Sequence, residues 1–253
     1  MTQTHLVQGC SPEQIAGRLQ RAYPDDMSKH LSAETIYAGL YVLPRGTLRS
    51  ELRAALRQAR KARRPRARGT DRRGQLPNMT PMAKRPAEAV TRTVPGHWEG
   101  DLIKGVRNGS AVGTLVERTT RLVILARMEG MDATSARQGF TKKLRHVPAA
   151  LRKTLTYDRG KEMAEHEQLA RRLAIQIFFA DPYSPWQRGT NENTNSLLRQ
   201  YLPKGTDLSG YTQRELNAIA HRLNTRPRKC LNFATPLEVH AHLRHYSPVA
   251  LGT

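Results

Sequence analysis

The sequence has very few cysteines and few aromatic residues. Cys10 and Cys230 are its only cysteines among 253 residues, and aromatic side chains make up 6% of the chain. The two cysteines lie far apart in sequence and match no zinc-binding or redox spacing. This argues against a disulfide-rich secreted scaffold. Two reduced thiols are expected, with a single disulfide as the alternative.

Long apolar runs are also missing. No run approaches the ~20 residues that a helix needs to span a bilayer. The first eight residues lack the basic-then-apolar layout of a secretion signal. Hydrophobic residues make up 38% of the chain, and the mean hydropathy is -0.63. We therefore expect a cytoplasmic protein with one large domain, or with a catalytic domain and an appendage.

Acidic residues are scarce relative to basic ones. The chain has 21 Asp and Glu against 42 Lys and Arg, which gives a formal net charge of +21 and a pI of about 10.9. Such a charge predicts a polyanionic partner, most often nucleic acid. The alternative is a genome that prefers arginine codons, and the distribution of the charge along the chain distinguishes the two.

The charge is concentrated between Arg45 and Arg92. This segment holds 15 Lys and Arg against three acidic residues. It begins with helical spacing of leucines and continues with Pro and Gly breakers, which predicts a basic helix and then a linker, disordered or ordered by DNA. A solvated tail is the alternative. The candidate DNA contacts in it are Arg63, Arg64, Arg66 and Arg68.

Two short helices are predicted before this linker. Ser11 begins a capping box with Pro12 at the first helical position, and Ser32 is a candidate N-cap for the second helix. Two short helices with a break suit a helix-turn-helix that binds DNA. The alternative is a helical hairpin used only for packing. The predicted domains are residues 1–45 (helix-turn-helix-like), 46–92 (basic helix and linker) and 93–253 (catalytic).

From residue 94 onward, the pattern predicts an α/β domain. The first strand is predicted to end with residues 101–105, and four further strands are predicted at 111–116, 122–126, 154–157 and 175–179. Helices are predicted at 134–145, 161–173 and 191–201. This order indicates a mixed five-stranded sheet flanked by helices.

Three carboxylates lie at positions in the predicted fold that indicate a catalytic or metal-binding role. Asp101 lies inside a predicted strand, Asp158 ends the fourth strand, and Glu192 lies early in the helix after the fifth. An Asp in a strand is commonly paired or bound to a metal, because it packs poorly there. If the first and fourth strands are neighbours, both aspartates reach the same end of the sheet. Clustered carboxylates suit Mg²⁺, and two such ions suit phosphoryl transfer. Scattered surface carboxylates are the alternative.

Several longer motifs resemble one family of enzymes. These are HWEGDLI at 97–103, GTLVERTTR at 113–121, YDRGKEM at 157–163 and DPYSPWQRGTNENTN at 181–195. They resemble the DDE transposases of bacterial insertion sequences, most closely the IS-thirty family. The resemblance runs through nearly the whole chain from Ser11.

This resemblance implies an RNase H-like core of the retroviral integrase type. Asp101, Asp158 and Glu192 would be the catalytic triad that binds Mg²⁺ or Mn²⁺, as two ions. The implied reaction is phosphodiester cleavage at the ends of the element, followed by transfer of the freed 3′-hydroxyl into target DNA. The implied partners are the inverted terminal repeats, the target DNA and further copies of the chain, at the bacterial nucleoid.

Residues around the triad are weaker candidates. Arg188, Asn191, Asn195 and Arg199 surround Glu192 and are predicted to contact the DNA backbone or to orient the glutamate. Helix capping and solvent exposure are the alternative. Glu99 lies two residues before Asp101, so strand alternation puts both on one face and makes Glu99 a candidate supporting residue.

Three functions remain open on the sequence. The leading hypothesis is a transposase that cuts and joins DNA. Family members usually carry a further helix-turn-helix before the point that corresponds to Ser11, so the expectation is either a truncated copy or a start that was assigned too late. A truncated, non-catalytic remnant that binds DNA and represses transposition is therefore the alternative. A nuclease that cleaves without joining is the third.

Overall fold

The computed structural model describes residues 2–42, 76–182 and 184–246. They divide into two compact units. The first contains residues 2–42 and 225–241, and the second contains the other described residues. The α-helices are α1 (Thr2–Val7), α2 (Pro12–Ala22), α3 (Ala33–Val42), α4 (Ala87–Thr91), α5 (Ala133–Leu144), α6 (His166–Leu173), α7 (Gly189–Leu198), α8 (Gln213–Asn224) and α9 (Pro236–Tyr246).

The second unit is built on a mixed five-stranded sheet. Its strands are β1 (His97–Lys104), β2 (Ala111–Glu117), β3 (Val123–Arg127), β4 (Thr154–Tyr157) and β5 (Gln176–Phe179), in the spatial order β3-β2-β1-β4-β5. Strands β1, β2 and β3 are antiparallel neighbours, whereas β4 is parallel to both β1 and β5. The predicted mixed five-stranded sheet flanked by helices is confirmed.

Helices cover both faces of the sheet. On one face, Ile103 and Val116 join a core cluster with Leu198 of α7 and Leu223 of α8. On the other face, the ring of Phe140 from α5 meets the ring of Tyr157 edge-on, with centroids 5.8 Å apart. The predicted helix at 161–173 is divided into a 3₁₀ turn at Lys161–Met163 and then α6.

Gly100 allows the chain to pack closely beside Asp101. A Cβ at Gly100 would lie 2.8 Å from the Cδ2 atom of Tyr157 and 3.1 Å from a methyl group of Leu155. Both neighbours are fully buried. The absence of a side chain at Gly100 therefore lets β4 carry a tyrosine immediately before Asp158.

The segment Leu76–Arg92 packs on the sheet unit. The amide of Phe179 donates a hydrogen bond to the carbonyl of Thr80 at 2.9 Å, so this segment extends the edge at β5. Ala89 is fully buried, and Arg85 is 7% exposed and donates to the hydroxyl of Thr156. The end of the predicted linker is thus part of the folded unit. Backbone pairing and burial hold the described residues of this segment.

The first unit joins the N-terminal helices to a late segment of the chain. Helix α2 begins with the predicted capping box at Ser11. The side-chain amide of Gln14 donates to the carbonyl of Pro227 at 2.8 Å, and the guanidinium of Arg18 makes a two-pronged ion pair with Glu238. Residues 225–241 therefore pack with helices that precede the linker, although the predicted division places them in the domain 93–253. The predicted role of this unit in DNA binding stays a prediction.

Two predictions lie wholly or partly outside the described residues. The basic helix and the arginines at 63, 64, 66 and 68 fall in residues 43–75, which the structure does not describe.

No helix in the described ranges is long and apolar enough to cross a membrane.

Candidate active site

The parallel pairing of β1 with β4 brings two of the predicted metal ligands, Asp101 and Asp158, close together. His97 pairs with Thr154 and Glu99 with Thr156, a constant offset of 57 residues (154 − 97 = 57, 156 − 99 = 57). Asp101 and Asp158 lie two residues beyond the last of these pairs and have the same offset. Since β4 ends at Tyr157, Asp158 lies just beyond the carboxyl end of a strand, where ligand sites of α/β sheets form.

A single guanidinium lies between the two aspartates. Nη1 of Arg188 is 3.6 Å from Oδ1 of Asp101, and Nη2 is 3.4 Å from Oδ2 of Asp158. Nη1 also donates to the carbonyl of Gly100 at 3.4 Å. The arginine side chain is only 13% exposed. Both carboxylates therefore direct an oxygen at the same positive charge.

Other hydrogen bonds hold each carboxylate in place. Oδ2 of Asp101 accepts a hydrogen bond from the side-chain amide of Asn195 at 2.9 Å, and Oδ1 accepts one from the amide of Leu102 at 3.0 Å. Oδ1 of Asp158 accepts one from the amide of Gly160 at 3.1 Å. The orientation of both groups is thus fixed by the protein as well as by Arg188.

The electrostatic environment makes Asp101 unusual. Its pKa is raised from 3.8 to about 6, and burial is the largest cause. The positive charge of Arg188 opposes this shift, whereas the negative charges of Asp158 and Glu162 add to it. A proton is therefore held more strongly at Asp101 than at an ordinary aspartate.

Glu192 lies close in sequence to this pair but outside it. It is in the first turn of α7, four residues after Arg188, and its side chain is exposed to solvent. Within the described ranges, no three His, Cys, Asp or Glu side chains come together closely enough to hold a metal ion. The structure thus brings Asp101 and Asp158 together and leaves Glu192 on the solvent side of the helix. Its role as a ligand stays a prediction.

Glu99 determines where α7 begins. Its Oε2 atom accepts a hydrogen bond from the backbone amide of Asn191 at 2.8 Å. Arg188, at the N-cap position, makes no side-chain capping hydrogen bond, so a carboxylate from β1 satisfies an amide at the positive end of the helix. Glu99 and Asp101 lie on the same face of one strand, as predicted. Glu99 contacts the helix that carries Glu192 rather than Asp101 itself.

A buried arginine pairs with Glu99. The guanidinium of Arg118 forms a short ion pair with Oε1 of Glu99, and its Nε atom donates to the carbonyl of Ala89 at 2.9 Å. Arg118 is 4% exposed and Glu99 is fully buried. Burial lowers the pKa of Arg118, and the Glu99 carboxylate opposes that shift. One ion pair therefore joins the segment at α4, strand β1 and the start of α7.

The predicted DNA contacts near Glu192 mostly face the protein. Asn191 is fully buried, and its Oδ1 atom accepts a hydrogen bond from Thr114 at 3.2 Å, which leaves its side chain no access to a DNA backbone. Asn195 contacts Asp101 rather than Glu192. Arg199 donates to the carbonyls of Leu202 and Lys104, each at 3.3 Å.

Sequence reasoning did not single out Arg118 or Glu162. Both lie inside motifs that were recognised as a whole, at 113–121 and 157–163. Arg118 gave no separate signal because its partners are 19 and 29 residues away along the chain. Glu162 follows Asp158 by four residues, and this nearness in sequence was the available signal.

Comparison with protein families defines the class of the sheet unit. Residues 92–185 match the family model described as "Integrase core domain". This stretch contains all five strands and both Asp101 and Asp158. The chain thus has the core of an enzyme class that transfers polynucleotide strands.

Individual relatives define the family. The chain is 58% identical to the transposase for insertion sequence element IS1086 of Cupriavidus metallidurans, over 94% of this chain and 70% of that protein. It is 46% identical to transposase InsI for insertion sequence element IS30A of Escherichia coli, over 90% of this chain and 60% of that protein. The chain belongs to this family of insertion-sequence transposases. The predicted resemblance is confirmed. As a class, such enzymes bind DNA and use divalent metal ions.

Solved structures with a similar backbone have lower sequence identity to this chain. The catalytic core domain of BIV integrase aligns with 60% of this chain and 97% of its own length, with 19% identity and a TM-score of 0.46. A chain of the simian T-cell lymphotropic virus intasome aligns with 89% of this chain, with 18% identity and a TM-score of 0.45.

Replacing Glu99 by glutamine tests the buried ion pair. Glu99→Gln keeps the shape of the side chain but leaves the charge of Arg118 buried without a counter-charge. We expect the free energy of unfolding to fall by about 3–5 kcal/mol, measured by urea unfolding followed by tryptophan fluorescence. The matched control is Glu129→Gln, because the Glu129 side chain is 72% exposed and pairs with Arg127 at 3.7 Å. Glu129→Gln should lower the free energy of unfolding by less than about 1 kcal/mol. Equal effects of the two substitutions would contradict the role given to Glu99.

The raised pKa of Asp101 predicts a stability change that depends on pH. Ionised Asp101 is disfavoured in the folded state, so its stabilising contribution is present below the unfolded pKa of 3.8 and is lost as pH rises through about 6. In metal-free buffer, Asp101→Asn should therefore raise the free energy of unfolding by about 1–3 kcal/mol at pH 7.5. It should have little effect at pH 4.

The control for this measurement is an aspartate whose pKa shifts the other way. The backbone amide of Ser135 lowers the pKa of Asp132, an exposed N-cap residue of α5. Asp132→Asn should not stabilise the protein at pH 7.5. A stabilisation by Asp101→Asn that is equal at both pH values would refute the assignment of the shifted group.

Proposed function

We propose that the protein is a DDE transposase that cleaves phosphodiester bonds at the ends of its insertion sequence and joins the freed 3′-hydroxyls to target DNA. One observation supports this most strongly. The pairing of β1 with β4 ends two residues before Asp101 and Asp158, and both carboxylates direct an oxygen at one shared cation. A half-buried carboxylate pair of this kind is suited to divalent ions, and family membership supplies the class of reaction.

The donor atoms at this place match a divalent metal ion. Mg²⁺ and Mn²⁺ prefer carboxylate oxygens, and the position between Asp101 and Asp158 already attracts a positive group. Asp101, Asp158 and Glu192 would hold the metal, which we propose to be two Mg²⁺ or Mn²⁺ ions. When bound, such ions activate an attacking oxygen and stabilise charge on the leaving oxygen of an in-line displacement.

The other residues act by orienting these ligands. Asn195 holds one oxygen of Asp101 through its amide, and the other oxygen faces Arg188. Glu99 fixes the first turn of α7, which carries Glu192 at the solvent-exposed side of the site. Glu192 is thus more accessible to a DNA strand than the half-buried carboxylates of Asp101 and Asp158.

The positive charge of the chain supplies the attraction for DNA. A net charge of +21 favours phosphate binding and faster association with duplexes. We propose that Arg63, Arg64, Arg66 and Arg68 contact the phosphate backbone and that the N-terminal helices bind the inverted terminal repeats. Since an element has two ends and the described part of the chain offers one such carboxylate pair, the active complex would be a homo-oligomer, working at the bacterial nucleoid.

A joining assay tests this proposal. The substrate is duplex DNA carrying the inverted repeats that flank the reading frame, incubated with the full chain and Mg²⁺ or Mn²⁺. We expect 3′-end nicking and joined products from the unaltered protein. Asp158→Asn should lower both by at least about 100-fold, because the pair loses one anionic oxygen donor. The matched control is Asp132→Asn, the exposed N-cap substitution, which should retain activity.

Three outcomes would contradict the proposal in different ways. Nicking that survives Asp158→Asn would mean that the chemistry occurs elsewhere. Binding without any nicking would favour the non-catalytic remnant that represses transposition. Nicking without joined products would favour a nuclease.

A further inference from the structure

The arginine between the two aspartates occupies the position where a metal ion would bind. Arg188 contacts Asp101 and Asp158 at 3.6 and 3.4 Å. A cation that replaced it would have to take the same oxygens. A divalent ion and a guanidinium placed side by side would repel each other in this partly buried setting. Binding of a metal ion between the aspartates therefore requires Arg188 to move.

The side chain of Arg188 is not closed off from solvent. Arg188 is the N-cap residue of α7, and its side chain is 13% exposed. Glu192 lies four residues later, in the first turn of the helix, and is exposed to solvent. Because a long arginine side chain can turn its charged head toward water, the guanidinium can leave the aspartates on the side from which DNA would arrive.

We propose that Arg188 is a displaceable cation, bound to Asp101 and Asp158 until a DNA phosphate takes up its guanidinium and frees both carboxylates for metal. This inference rests on the proposed function, since it assumes that metal and DNA meet at this pair. A phosphate suits the guanidinium at least as well as two separate carboxylates do, because it accepts two parallel hydrogen bonds. Arg188 would then couple the two binding events, so that each ligand strengthens binding of the other.

This arrangement has a consequence for the protein without DNA. Two carboxylates aligned on neighbouring strands would repel each other if neither were neutralised. Arg188 supplies the missing charge, so the pair stays assembled while metal binding is kept weak. Metal loading would thus follow DNA binding rather than precede it. Arg188 acts here as a positioning residue, not through contact with reacting atoms.

The test is a Mn²⁺ titration of the full chain without DNA, in which the electron paramagnetic resonance signal reports free Mn²⁺. Arg188→Gln removes the competing charge and should tighten Mn²⁺ binding about fivefold or more. Arg188→Lys keeps the positive charge but loses the planar guanidinium. Its affinity for Mn²⁺ should lie between the affinities of the unaltered protein and of Arg188→Gln. The matched control is Arg127→Gln, at a half-exposed ion pair on β3. It removes the same net charge and should change the affinity less than about twofold.

A second measurement examines the coupling itself. The affinity for a random-sequence duplex is measured by fluorescence anisotropy, with and without Mn²⁺ at constant ionic strength. Mn²⁺ should improve duplex binding more for the unaltered protein and for Arg127→Gln than for Arg188→Gln. An equal gain in all three proteins would overturn the inference.

Asp158→Asn separates failure of this inference from failure of the proposed function. If Asp158→Asn weakens Mn²⁺ binding but Arg188→Gln does not tighten it, the metal site stands and only the inference is overturned. If Asp158→Asn leaves Mn²⁺ binding unchanged, no metal binds at the pair, and the proposed function and the inference fail together. Thermal unfolding of each variant in EDTA verifies that it is folded.

Discussion

The buried ion pair between Glu99 and Arg118 is the contact on which the site depends. Glu99 is fully buried and Arg118 is 4% exposed, so each charge is tolerated because the other is present. The pair also uses its remaining atoms: Glu99 caps the start of α7, and Arg118 binds the carbonyl of Ala89. Since Asp101 follows Glu99 by two residues on the same strand face, the contact that fixes α7 also fixes the strand that carries the first carboxylate.

The interior beside this pair is unusually polar for the centre of a sheet. Thr114 and Asn191 are fully buried between β2 and α7 and bond to each other at 3.2 Å. Asn195 uses its amide on Asp101, while its Oδ1 atom is buried without a hydrogen-bond partner among the described residues. Apolar side chains would stabilise this layer more. Its polar side chains instead orient a helix and a carboxylate, which indicates that the layer serves the site at some cost in stability.

Much of the sheet unit follows from local sequence pattern, and much of the site does not. The strands and helices were predictable because alternation and helical spacing are properties of consecutive residues. Asp101 and Asp158 stood out because an aspartate within or ending a strand is rare. Their closeness could not be predicted without the β1–β4 register. The role of Arg118 could not be predicted either, because its partner Ala89 is 29 residues away along the chain. The packing of 76–92 and of 225–241 also depends on distant partners, such as Phe179 for Thr80 and Arg18 for Glu238.

Diffraction from crystals of the full chain soaked in Mn²⁺ tests most directly that Asp101 and Asp158 form the metal site of a transposase. The anomalous signal of Mn²⁺ locates the ion without reference to activity. If these residues form the site, the peak should lie in contact with both carboxylates, with the guanidinium of Arg188 turned away from them. A peak elsewhere, with Arg188 still between the two aspartates, would contradict it.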